Sequence, residues 1–91
     1  MEGVTINKKS GEIIIEVNKS FYSKEAVLEA SSEFMSDCWV TINQDNNNFV
    51  VNLKPKDESV NLKEVAGDFC NFLLAYMRRL SQKDEGVDVG L

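Results

Sequence analysis

A small α+β domain is what this sequence predicts, an antiparallel sheet with two helices packed on one face in the order β(β)αββα. Three observations predict it. Residues 12–17 form a run rich in β-branched side chains. Two further alternating segments, 37–43 and 49–54, flank an asparagine-rich stretch, as two strands flank a turn. An apolar stripe with helical spacing then runs from Leu62 to Leu80.

Taken in order, residues 3–7 read as a short strand, and Lys8, Lys9, Ser10 and Gly11 as a break after it. In the next strand, alternation puts Ile13, Ile15 and Val17 on one face. The two segments can form a hairpin. Ser23 suits the start of a helix, because its hydroxyl can accept from an orphan N–H of the first turn. That helix covers 24–35, with Val27, Ala30, Ser31 and Phe34 on one face. Small residues dominate this face, so the helix can lie close to a sheet.

In the segment at 37–43, Cys38, Val40 and Ile42 point one way, and Trp39, Thr41 and Asn43 the other. Asp45 and the three asparagines after it tolerate positive φ and bond to nearby backbone, which marks a hairpin turn. Phe49, Val51 and Leu53 share a face of the following strand, and Pro55 ends it because proline cannot donate to a ladder. Asn61 and Glu64 stand three apart, as in a capping box, before the last helix at 62–81. Its stripe is Leu62, Val65, Ala66, Phe69, Leu73, Tyr76, Met77 and Leu80. Glu64, Asp68, Asn71, Ala75, Arg78 and Gln82 lie opposite. Gly67 costs ~1 kcal/mol relative to alanine inside a helix, unless another backbone packs closely there. Residues 1–81 make one domain, and 82–91 a polar tail. The tail either frays or adds a strand through Val87, Val89 and Leu91, which would complete a ferredoxin-like βαββαβ order.

Composition narrows the function. The chain has 91 residues and a net charge of −5, which repels nucleic-acid phosphates and anionic lipid unless basic groups cluster. They do not cluster strongly in the sequence: the nearest candidates are Lys8-Lys9 and Arg78-Arg79, each only a pair, for which solvated surface charge is the default. No apolar run is long enough to span a membrane, and the N-terminus carries no signal-peptide pattern. The expectation is a cytoplasmic protein without nucleic-acid or membrane partners.

Catalytic sets are missing as well. The 91 residues include no histidine to act as base or metal ligand, and the five glycines are scattered rather than gathered in a phosphate loop. Cys38 and Cys70 have no metal-ligand spacing, and Cys38 stands beside Asp37, the wrong charge for a reactive thiolate. The sequence therefore points to a protein that is not an enzyme and has no catalytic residues, cofactor or metal.

The most individual stretch is the last helix. Asp68, Phe69, Asn71, Leu73, Leu74 and Tyr76 occupy an acidic-Phe-x-Asn-x-Leu-Leu-x-Tyr signature, with Arg78 two residues beyond it. In this the chain resembles the HxsD-type protein of bacterial His-Xaa-Ser repeat systems. The segment 22–27 and the strands at 38–40 and 49–53 look similar too, so the resemblance covers roughly residues 13–80. It implies a small accessory protein encoded beside radical-SAM enzymes that modify a His-Xaa-Ser-repeat peptide. It supplies no activity for the accessory protein itself.

What remains is surface. With Ile13, Ile15, Val17, Val40, Ile42, Val51 and Leu53 toward the helices, Trp39 is the largest apolar group on the opposite sheet face, and tryptophan is enriched at binding hot spots. The alternative is that Trp39 is partly covered by the tail or by its own neighbours. The outer strand of an open sheet also invites an added peptide strand. The reading is an adaptor for a peptide or protein partner, such as the radical-SAM enzyme or its substrate, with Trp39 as anchor and Asn71 and Arg78 as a polar rim. Its competitor is a homodimer or larger assembly joined through the open sheet.

Overall fold

The β-branched run at 12–17 becomes an inner strand of a four-stranded sheet. The computed structural model describes residues 3–89, with side chains described for residues 3–80. The elements are β1 (Gly3–Asn7), β2 (Glu12–Asn18), α1 (Lys24–Glu33), β3 (Cys38–Gln44), β4 (Asn48–Pro55) and α2 (Leu62–Val89). The sheet order is β1-β2-β4-β3, and every neighbouring pair is antiparallel. β2 and β4 hold the centre, and β1 and β3 are the edges.

Alternation decides which face is buried. Ile13, Ile15 and Val17 of β2 and Phe49, Val51 and Leu53 of β4 point to the helices and are buried. They meet Ala26, Val27 and Ala30 from α1 and Ala66, Phe69 and Leu73 from α2 in one core. α1 packs over β4, whereas α2 packs over β2 and β1. The helices run antiparallel: Ser23 Oγ donates to Met77 Sδ at 3.7 Å, while Phe34, just past the other end of α1, meets Phe69 edge-on with centroids 5.4 Å apart.

The caps are those the sequence offers. Ser23 Oγ accepts from the Ala26 N–H at 3.1 Å, and Asn61 Oδ1 accepts from the Lys63 and Glu64 N–H groups at 2.9 and 3.2 Å. The β3–β4 turn is closed by the Asp45 N–H donating to the Asn48 carbonyl at 3.0 Å and by side-chain bonding. Asp45 Oδ1 accepts from the N–H groups of Asn47 and Asn48 at 2.8 and 2.7 Å, and among the described residues none other than glycine takes a positive φ. These two bonds hold the Asp45 carboxyl below its ordinary pKa. Positive φ is needed instead in the β1–β2 turn, at Gly11, where φ is 71°.

Two differences from the sequence reading concern helix ends. α1 stops at Glu33, with Phe34 as its C-cap, rather than at Met35. α2 passes Ser81 without a break and continues to Val89. Val87 and Val89 are therefore helical backbone rather than a strand, and the ferredoxin-like completion is not formed. Its place is already filled, because β1 pairs along the edge of β2 that a terminal strand would take. Leu91, the third residue of that expected strand, lies outside the described residues.

Two substitutions follow from local accounting. Gly67 is exposed on α2, and a Cβ there would meet nothing within 4 Å, so no second backbone packs on it. Gly67→Ala should stabilise the fold by roughly 0.8–1 kcal/mol in a denaturant titration. Ser31 is fully buried in α1, and its hydroxyl has no hydrogen-bond partner. Ser31→Ala removes an unmet donor and improves helix propensity, so the denaturation midpoint should rise, by an amount equivalent to about 1–2 kcal/mol.

Candidate partner-binding surface

Among the described residues, β3 is bonded to β4 along one side only, which leaves its other edge open. Natural edge strands are usually blunted by charge, proline or a bulge. The β3 sequence, Cys-Trp-Val-Thr-Ile-Asn-Gln, has no charged residue and no proline. It thus presents a row of backbone donors and acceptors without electrostatic protection.

Two flanks border this edge. On the outer face, Trp39 stands 65% exposed. Lys54 is its cross-strand partner on β4, and Lys56 Nζ sits 4.6 Å from the ring centroid. On the inner face, Val40 and Ile42 are only half-buried, because α1 lies over β4 and leaves β3 overhanging. Successive helical residues turn by about 100°. Ala26 and Glu29 border α2, where Tyr76 and Arg79 lie, so Leu28 falls on the opposite flank of α1, toward the β3 side, and Met35 lies in the turn that joins α1 to β3. Leu28 is 46% exposed and Met35 53%. The edge therefore offers backbone pairing between an aromatic on one side and aliphatic groups on the other.

The remaining site residues lie elsewhere. Asn71 and Arg78 are exposed on α2, turned about 180–200° from Phe69, which faces the core. The sheet and the body of α2 separate them from Trp39, so they do not form a rim around it. The sequence pattern assigned each to an exposed face but could not show that the two faces are opposite. Sequence reasoning also left out Leu28 and Met35, because an exposed apolar residue at a helix edge has no periodic signature.

The thiols give no sign of chemistry at this edge. Neither cysteine is in a disulfide. Burial pushes the Cys38 thiol up, and Asp37 adds to the effect against the opposing pull of Lys56. Cys70 is likewise pushed up by burial. Thiols held protonated in this way are poor nucleophiles. Among the described residues, no helix is long and apolar enough to cross a membrane.

Compared with known proteins, the chain matches the family described as "His-Xaa-Ser system protein HxsD" over residues 17–86. It belongs to the HxsD family. The match runs from the end of β2 through α1 and most of α2 and takes in β3, β4 and the whole signature of α2. No curated protein and no solved structure matches the chain. In this HxsD protein the fold divides the signature in two. Phe69 and Leu73 are buried and Tyr76 packs against the core, while Asp68, Asn71, Leu74 and Arg78 are exposed. Only the first group is accounted for by folding.

Proposed function

We propose that this HxsD protein is a non-catalytic accessory protein of a His-Xaa-Ser system that captures an extended peptide along β3. The observation that carries the reading is the open, uncharged β3 edge with Trp39 exposed beside it. A peptide adding there would gain main-chain hydrogen bonds from the edge, and its alternate side chains would meet Trp39 on one face and Val40 and Ile42 on the other. The family membership makes the His-Xaa-Ser-repeat peptide the first candidate. Asn71, Leu74 and Arg78 share one exposed stripe of α2 on the far side, available to a second body such as the modifying radical-SAM enzyme. Such an arrangement suits a cytoplasmic adaptor.

Trp39 is the single tryptophan of the chain, so its emission reports directly on this site. Titration with a synthetic His-Xaa-Ser-triplet peptide should shift that emission saturably. No shift and no calorimetric heat up to about 1 mM peptide, where binding is worth only ~4 kcal/mol, would exclude capture of this peptide.

The same edge supports a second reading, in which β3 pairs with β3 of another copy. An unprotected edge does not discriminate against itself. Sedimentation equilibrium decides: a mass near 10.3 kDa is that of the monomer, and twice this mass, reverting on an Ile42→Lys edge substitution, would favour the dimer.

A further inference from the structure

The fold gathers lysines that are far apart in sequence. A cleft of about 800 Å³ opens between the β1–β2 turn and the loop from β4 to α2. Lys8 and Lys9 border it from the turn, Lys54 from the end of β4, and Lys63 from the first turn of α2. They are four of the 10 basic residues in a chain of net charge −5. All four are exposed, and none is held in an ion pair among the described residues. Two carboxylates, Asp57 and Glu58, also line the cleft. Asp57 is engaged within its own loop, where its Oδ1 accepts from the Ser59 N–H at 2.9 Å and from the Ser59 hydroxyl at 2.7 Å. The local balance is therefore positive, against the sign of the whole molecule.

The wall is not purely polar. Ile6, Pro55, Val60 and Leu62 also line the cleft, and Val60 is 36% exposed. A volume of this size lies in the range of ligand-binding clefts. The N–H groups of Lys63 and Glu64 at the start of α2 are already capped by Asn61, so the helix end is not an open anion site. The charge available to a ligand comes from exposed ammonium groups around an apolar floor.

We propose that this cleft docks an acidic peptide segment, one that carries carboxylates for the lysines and an apolar side chain for the floor. It adjoins the β3 edge at Lys54, the cross-strand partner of Trp39, but does not depend on the function proposed for that edge. A polyphosphate chain fits less well, because it has no apolar group to place against Ile6, Pro55, Val60 and Leu62.

The test uses the full chain, labelled with nitrogen-15, and a short synthetic peptide of alternating glutamate and leucine. The expected result is saturable amide shifts confined to residues 8–11 and 54–63. Affinity should fall as salt is raised, because exposed charges are screened within about 8 Å at physiological ionic strength. The variant Lys9→Glu/Lys63→Glu should bind at least tenfold more weakly with an unchanged melting temperature, since both side chains are exposed. Three outcomes would overturn the proposal. One is equal binding of the glutamine-leucine peptide. Another is the same shifts produced by inorganic phosphate or by a short single-stranded oligonucleotide. The third is no saturable shift in the cleft.

Discussion

Phe69→Ala is expected to lower the unfolding free energy by about 3–5 kcal/mol, the usual cost of emptying a phenylalanine site in a core. Phe69 has no exposed surface and sits between the inner sheet face and α1. Its ring also meets Phe34 edge-on at 5.4 Å, a geometry worth about 0.5–1.5 kcal/mol beyond area burial. A domain of this size is stable by only about 5–15 kcal/mol, so the substitution removes a large share of the total. Each kcal/mol corresponds to roughly 4–8 °C in Tm for a domain of this size, which puts the expected drop at about 12–40 °C. Phe72 supplies the control. It touches the other side of Phe34, with centroids 5.5 Å apart, but is 41% exposed. Phe72→Ala should cost about 1 kcal/mol. Urea titrations of the two variants check both values. A loss below about 1 kcal/mol for Phe69→Ala would mean that α2 presents a different stripe to the sheet.

That stripe was legible because its period is local. Phe69 and Leu73 are four residues apart, and any helix carries them on one face whatever it packs against. The strand faces were legible for the same reason: Ile13, Ile15 and Val17 alternate within a single element, and all three are fully buried. Caps and turns were legible where one side chain closes them, as Ser23, Asp45 and Asn61 do. The end of α2 was not. Residues 82–89 combine polar helix formers with alternating valines, and the choice between strand and helix turned on whether a sheet edge was free. β1 had taken that edge, a fact fixed by pairing between residues 3–7 and 12–16 rather than by anything in the tail.

The candidate surfaces divide along the same line. Trp39 was found because alternation in β3 sends it away from Cys38, Val40 and Ile42. Its separation from Asn71 and Arg78 depends on which sheet face α2 covers, and no single element encodes that. The lysine cleft was invisible for a plainer reason. Lys9 and Lys54 are distant in sequence and come together only when the β1–β2 turn and the end of β4 lie at the same end of the sheet, as the pairing of Ile13 with Leu53 requires.

Trp39→Ala is the substitution that most directly tests peptide capture. The ring is 65% exposed in the unbound protein, so it has area to bury against a partner. Truncating a buried aromatic anchor commonly costs 2 kcal/mol or more of binding energy. The expected result is at least a tenfold loss of affinity for the His-Xaa-Ser peptide, equivalent to ~1.4 kcal/mol, measured by calorimetry because the variant has no tryptophan emission. Stability should change little. Within the chain the ring chiefly serves as a platform for the Lys56 ammonium, an interaction worth about 0.5–1 kcal/mol at an exposed site. Arg78→Ala serves as the opposing control. Arg78 lies on the solvent side of α2, across the sheet from Trp39, and its removal should leave peptide affinity unchanged while reducing salt-dependent association with a second, enzyme-sized partner. If Trp39→Ala binds the peptide as tightly as the parent chain, the β3 edge is not the capture site. The exposed stripe of Asn71, Leu74 and Arg78 would then be the surface to test next.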